Sequence, residues 1–390
     1  MQPISAIPQQ YMTPPATTAP HACHWDLFCR VVDNYGDAGV CWRLARQLVE
    51  EHGQIVQLWI DDLETLSKLH PEILPKHATQ TVAGVRIGRW TTTTPAVCDA
   101  DVVIETFACE LPEPYLQSMA MRAKPPRWIN LEYLSAEEWV VGCHSMTSPH
   151  PRLGLLKHFF FPGFPAQTGG LLWGKRDIHS QDQLNSLALK IPDGALRVSL
   201  FAYDHVPAHA LVSAWHTSSI PVCCLVAPGK PLKLLEIALN QRLDGPLQHG
   251  ALTLIPMPFL SQELYDQLLQ SCDLNFVRGE DSFVRAQWAG KPFVWQIYCQ
   301  EDLAHHPKLD AFLQRYIAEL SPAAQQSLLD LHALWNDPSA GHDTAQAKAC
   351  WESLLTALSE LEGRARKWQS DYDAQPGMAE KLVKFSQLPV

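Results

Sequence analysis

Two aspartates, Asp33 and Asp37, flank Gly36 in the run Asp33-Asn34-Tyr35-Gly36-Asp37. Carboxylates this close can divide the work of a general base and of orienting a cation. The same pair also reads as a helix N-cap followed by a first-turn acid, which stabilises a helix through its dipole. Spacing leaves both readings open. A second constellation lies at 275–287, NFVRGEDSFVRAQ, where a strand feeds a glycine turn and Glu280-Asp281-Ser282 opens a helix. Asp281 or Ser282 suits the N-cap. The free N–H groups and dipole of such a helix make an anion site that a diphosphate fits. Arg278 and Arg285 add charge or forked hydrogen bonds, and Glu280 suits sugar hydroxyls. An ordinary capped helix is the plainer reading. Phe201, Tyr203 and Phe259 form a third group, strand-end rings that either stack on a base or join a core.

Other chemistries lose their usual support. There is no GxxxxGK[ST], no GxGxxG after a strand and no GxSxG elbow. Asp99-Ala100-Asp101 has the form of a metal-binding triplet, but it precedes a strand and reads as a strand-start turn. His305-His306 and the pair His144 and His150 lack zinc spacing. No metal and no resident cofactor is expected. The chain carries 41 acidic against 30 basic residues, a net charge of −11, which disfavours direct nucleic-acid binding. No run approaches the ~20 apolar residues of a membrane span. The first twenty residues hold no Lys or Arg and no apolar core, so they are not a secretory signal. Eleven cysteines without a CxxC fit a reducing compartment. The expectation is a cytoplasmic protein that binds neither membrane nor nucleic acid.

Residues spread over 390 positions must be brought together by the fold, and that length favours two domains at about 100–200 residues each. A strand over Trp25–Val32, a helix carrying Val40, Leu44, Leu48 and Val49, and a strand over Ile55–Ile60 make a βαβ unit. Val102–Ile104 runs into Glu105, and Trp128–Leu131 into Glu132. Acids at the carboxyl ends of parallel strands lie where ligands bind, or merely cap turns. Periodicity fades over 151–190, and 174–185 reads as a linker. It restarts with strands over Leu196–Phe201, Val222–Val226, Leu252–Ile255, Leu274–Val277 and Pro292–Trp295, with helix beyond Asp302. The α/β pattern thus occurs twice. The expected organisation is a disordered Pro/Thr/Gln-rich leader over 1–23 and Rossmann-like domains over 24–180 and 181–365, facing across a cleft.

DNYGDAGVCWRLARQL, IETFACELP, INLEYLSAEEWV, SLFAYDH, PFLSQELYDQLL and RGEDSFVRAQWAGKPFVWQIY together resemble the bacterial protein-arginine rhamnosyltransferases that modify elongation factor P. The resemblance runs from about Trp25 to the C-terminus. It implies a GT-B fold with the active site in the cleft, and a closing helix over 366–390 that crosses back to the first domain. It implies the donor dTDP-β-L-rhamnose, inversion at the anomeric carbon and no metal. The implied acceptor is one arginine of elongation factor P, activated for rescue of ribosomes stalled at polyproline. By this similarity Asp37 matches the proposed general base and Asp33 the other required acid. Phe201, Tyr203, Phe259, Gln262, Glu280, Asp281 and Ser282 match nucleotide-sugar positions, and Arg278 joins them on charge. Two rivals remain: a GT-B transferase with another nucleotide sugar and acceptor, and a sugar-nucleotide-binding protein without turnover.

Overall fold

The computed structural model describes residues 22–33, 35–174, 189–299, 305–337, 339 and 343–388. The expected leader therefore lies outside the described residues except for its last two positions, as does most of the expected linker.

The strands in chain order are β1 (His24–Cys29), β2 (Ile55–Ile60), β3 (Thr79–Val82), β4 (Val85–Arg89), β5 (Val102–Thr106), β6 (Arg127–Leu131), β7 (Thr147–Pro149) and β8 (Leu156–Phe160). After them come β9 (Leu196–Leu200), β10 (Val222–Val226), β11 (Leu247–His249), β12 (Leu252–Pro256), β13 (Leu274–Arg278) and β14 (Phe293–Gln296). Two sheets result, ordered β3-β4-β2-β1-β5-β6-β8-β7 and β11-β12-β10-β9-β13-β14. Their inner strands are all parallel, while β3, β7 and β11 close edges antiparallel. Every residue of β5, β6, β10 and β13 is buried. Such near-continuous apolar runs are what a parallel sheet covered on both faces requires. The fold is therefore α/β with two Rossmann-like sheets.

The stretch 151–190, which reads as irregular, contains β8. This short strand is only half buried and pairs with β6 and β7, so its partners rather than its own pattern define it.

Each sheet reverses its strand order once, between β1 and β5 and between β9 and β13. The loops leaving the carboxyl ends of those strands turn opposite ways and open a crevice. The chain's end ties the halves together. The helix Thr344–Asp373 packs Trp351, Leu354 and Trp368 into the second core, whereas the helix Met378–Ser386 buries Met378, Leu382 and Phe385 in the first. Among the described residues no helix is long and apolar enough to cross a membrane.

Candidate active site

The helix Tyr35–Glu50 begins straight after β1 and carries Asp37 in its first turn. Asp37 is buried, and its Oδ2 accepts the backbone N–H groups of Val32 at 2.8 Å and Asp33 at 2.9 Å. Burial pushes its carboxyl above the ordinary aspartate range, against the pull of those two amides. Both bonds fall on Oδ2, so Oδ1 keeps lone pairs to spare. Asp33 faces the other domain: the Tyr203 hydroxyl donates to its Oδ2 at 2.7 Å.

From the second sheet, Gly279 and Glu280 leave β13, and the helix Asp281–Ala289 follows. The expected N-cap is corrected here. Glu280 occupies the cap position without a side-chain cap bond, and the helix starts at Asp281. Ser282 is tied backwards, its hydroxyl accepting the Arg278 N–H at 3.0 Å and donating to the Arg278 carbonyl. The first-turn N–H groups still lack intrahelical partners, as at any helix start. Arg278 is buried, with its guanidinium carbon 4.3 Å from the Phe201 ring centre and 4.4 Å from that of Tyr203.

Arg285 does not serve as an anion ligand. Its guanidinium forks onto Asp266 at 2.8 and 3.0 Å and lies 3.7 Å from the Trp288 ring centre. Asp266 also receives a fork from Arg43 of the first domain, at 2.8 and 2.9 Å. Arg43 reaches Asp281 as well, at 3.0 Å. Gln262 donates to Asp281 at 3.2 Å and meets His70 of the first domain at 2.9 Å. Gln262 and Asp281 thus belong to a polar chain across the domain boundary. Gly39 makes room for it, since a Cβ there would lie 2.6 Å from the Gln262 amide nitrogen.

Asp33, Phe201, Phe259, Gln262, Arg278, Glu280, Asp281 and Ser282 all line one pocket of about 450 Å³ between the domains, a size suited to a small ligand. Asp37 lines an adjoining cavity of about 160 Å³ with Phe107, Tyr133 and Lys308. Asp33, Gly36, Gly279 and Glu280 border both spaces. Tyr203 lines neither and touches the site through its hydroxyl. Of the three strand-end acids, only Asp33 reaches the crevice. Glu105 is buried under it, accepting from the Trp128 indole at 3.0 Å and the Glu110 N–H at 3.2 Å and pairing with Lys157 at 2.9 Å. Glu132 accepts from the Asn130 side chain. Sequence reasoning missed Lys230 on the larger pocket and Phe107, Tyr133 and Lys308 on the smaller. The carboxyl-end position of Phe107 and Tyr133 after β5 and β6 was the available signal.

Two tests arise from this geometry. Gly279 has φ +60°, and a Cβ there would lie 2.7 Å from the Tyr203 hydroxyl and 3.0 Å from Asp33 Oδ2. Gly279→Ala should strain the backbone and part that hydrogen bond. The expected cost is about 1–3 kcal/mol, read as a lowered melting temperature together with at least a tenfold loss of turnover. Unchanged melting and turnover would mean that the close approach has no consequence. Burial also pushes the Glu280 carboxyl up to about 7 from an ordinary 4.5, with Lys308 pulling the other way. Between those values the folded state holds a proton that the unfolded state has released. Stability therefore falls as pH rises from 4.5 to 7, by roughly 2–3 kcal/mol. Melting curves at pH 5 and pH 8 should separate less for Glu280→Gln than for wild type.

The sequence profile of the family described as Elongation-Factor P (EF-P) rhamnosyltransferase EarP matches residues 25–387. A protein-arginine rhamnosyltransferase of Pseudomonas putida is 46% identical over 378 residues, covering 93% of this chain and 98% of the relative. A solved structure concerned with EarP-mediated arginine glycosylation of translation elongation factor EF-P is 33% identical with a TM-score of 0.64, covering 93% of this chain and 98% of that one. The spinosyn rhamnosyltransferase SpnG, 12% identical with a TM-score of 0.51, covers 93% of this chain and all of its own and shares the fold alone.

Proposed function

The chain belongs to the EF-P rhamnosyltransferase EarP family, a GT-B glycosyltransferase family acting on protein arginine, and from that premise we propose a complete reaction. L-Rhamnose passes from dTDP-β-L-rhamnose to one arginine side chain of elongation factor P, with inversion at the anomeric carbon. A translation factor as acceptor implies a cytoplasmic enzyme, with no membrane or nucleic acid as partner.

The observation that carries this reading is the pair of spaces meeting at Asp33, Gly36, Gly279 and Glu280. The larger suits the donor. Its apolar wall around Phe259 takes the base. The first turn of the helix Asp281–Ala289, with Arg278 and Lys230, takes the diphosphate. Glu280 takes sugar hydroxyls where the two spaces join. The smaller suits the acceptor.

A guanidinium stays protonated at neutral pH and has no free lone pair for attack. In this mechanism Asp33 holds the group and localises its charge. Asp37 Oδ1 takes a proton as the nitrogen attacks. The new C–N bond forms on the face opposite the breaking bond from the anomeric carbon to the diphosphate oxygen. The electron pair of that bond leaves with dTDP, whose growing charge meets helix N–H groups and Arg278, a job that a metal does elsewhere. We infer that no resident metal or cofactor is needed.

Intact-mass spectrometry of elongation factor P incubated with this protein and dTDP-rhamnose tests the reading. One added deoxyhexose on a single arginine is expected. No gain with donor binding intact would point to another acceptor or to a binder without turnover. Absence of both would overturn donor and acceptor together.

A further inference from the structure

Phe107 and Tyr133 stand on neighbouring loops, after β5 and β6, and their rings stack 4.2 Å apart at an angle of 8°. Both line the 160 Å³ cavity that holds Asp37. The backbone that presents Phe107 is strained. Phe107, Ala108 and Glu110 have φ of 53°, 52° and 56°, values that side chains larger than hydrogen rarely adopt. Four hydrogen bonds enforce it. The N–H groups of Phe107, Ala108, Cys109 and Glu110 donate to the Leu131 carbonyl at 2.8 Å, Asn130 Oδ1 at 3.2 Å, the Thr106 carbonyl at 3.1 Å and Glu105 Oε1 at 3.2 Å. Such strain persists where surrounding structure over-determines it, and it clusters at ligand sites. Here it sets the Phe107 ring between the edge of the first core and the flat face of Tyr133, which is itself 40% exposed.

The electrostatics of the cavity select its guest. The carboxyl groups of Asp33, Asp37 and Glu280 border it beside the Lys308 ammonium and the His305 ring, and a cationic guest favours the ionised form of each carboxyl. That ammonium lies 5.8 Å from the Tyr133 ring centre, so the ring already attracts a cation. A planar cation that stacks on an aromatic face and forks onto carboxylates is a guanidinium. Val32 and Tyr298, 68% and 49% exposed, rim the same opening with apolar surface, which suits an arginine carried on a protein.

We propose that the Phe107–Tyr133 stack is the platform on which the acceptor arginine lies, positioning its guanidinium beside Asp33 and Asp37. This rests on the arginine-transfer reading above. Both rings are positioning residues: they set which nitrogen faces the donor and take no proton. A platform for a flat cation also discriminates against lysine, whose compact ammonium cannot stack.

Steady-state transfer to purified elongation factor P, with donor affinity measured separately by calorimetry, tests this. Tyr133→Leu and Phe107→Leu should each raise the acceptor KM about tenfold, in the range of a partly desolvated cation–π contact. The dissociation constant for dTDP-rhamnose should stay within twofold. Tyr133→Phe keeps the ring and should recover most of the loss, which a role for the hydroxyl would not allow. An acceptor KM within twofold of wild type in Tyr133→Leu would overturn the platform. So would equal losses in Tyr133→Phe and Tyr133→Leu, or a matching loss of donor affinity. Failure of the wild-type protein to modify any arginine acceptor is a separate result that removes the parent reading and the platform with it.

Discussion

Asp37→Asn is expected to abolish rhamnosyl transfer while leaving dTDP-rhamnose bound at near wild-type affinity. The substitution is isosteric, and the amide oxygen of Asn can still accept the N–H groups of Val32 and Asp33 that now hold Oδ2. The start of the helix Tyr35–Glu50 should therefore survive. A neutral amide, however, cannot take a proton from a guanidinium. Loss of a positioned base costs about a hundred- to ten-thousandfold in rate. The pocket proposed for the donor lies on the far side of Asp33 and Gly36 and does not include Asp37, so calorimetry with dTDP-rhamnose should be unaffected. Stability gives a second readout. Burial raises the Asp37 carboxyl, so its ionised form is costly near neutral pH and Asp37→Asn should melt no lower than wild type at pH 7. The raised carboxyl also sets the sign of the rate profile. Turnover should fall on the acidic side as Asp37 takes up its proton, at higher pH than for an ordinary aspartate. Near-normal single-turnover rates in Asp37→Asn would remove it as the base.

Asp266→Ala is expected to destabilise the protein more than any single change at the site itself. One carboxylate receives two forked guanidinium groups, Arg285 from its own domain and Arg43 from the other. All three side chains are at least 85% shielded, with exposures of 14%, 5% and 15% for Asp266, Arg285 and Arg43. Deleting Asp266 leaves the Arg285 guanidinium without its carboxylate, facing an Arg43 guanidinium that keeps only Asp281. Breaking such a network by removing one partner costs about 3–5 kcal/mol. Calorimetric melting should show a drop of roughly 6–20 °C for domains of this size. Because Arg43 comes from the first domain, the loss should also loosen the cleft and weaken donor binding. Arg43→Met with Asp266 intact separates the two effects. It removes one of the cross-domain ties and leaves Asp266 paired with Arg285, so it should affect the cleft more than the melting temperature. A drop under 2 °C for Asp266→Ala would mean that water already solvates the cluster.

Much of the fold was legible in the chain because the parallel strands are buried on both faces. Val102–Thr106, Arg127–Leu131, Val222–Val226 and Leu274–Arg278 stand out as apolar runs wherever they are read. The edge strands were not. Thr79–Val82, Thr147–Pro149 and Leu247–His249 are short and contain no buried residue, and only the neighbouring strand makes them strands. The helix after β13 was placed, but its cap was not. Asp281 and Ser282 are both chemically able to cap, but the helix already starts at Asp281 and the Arg278 backbone holds the Ser282 hydroxyl.

The sequence by itself determined the chemistry that sits close along the chain. Asp33 and Asp37 are four residues apart, and the turn from β1 into its helix is enough to set them side by side. The same holds for Arg278 to Ser282, and for the twofold α/β pattern that carries both groups. Tertiary structure alone decided which partners these charges meet. Arg285 was committed to Asp266 and Glu105 to supporting a strained loop, whereas Asp33 accepts one hydrogen bond from a tyrosine 170 residues away and still lines both spaces of the site. It also made Phe107 and Tyr133 one surface, though each belongs to a different strand end. The reason is physical. Local backbone geometry is written within a few residues, whereas a cleft is made when two sheets close on each other. The partners met there are set by shape and charge across the gap, not by spacing along the chain.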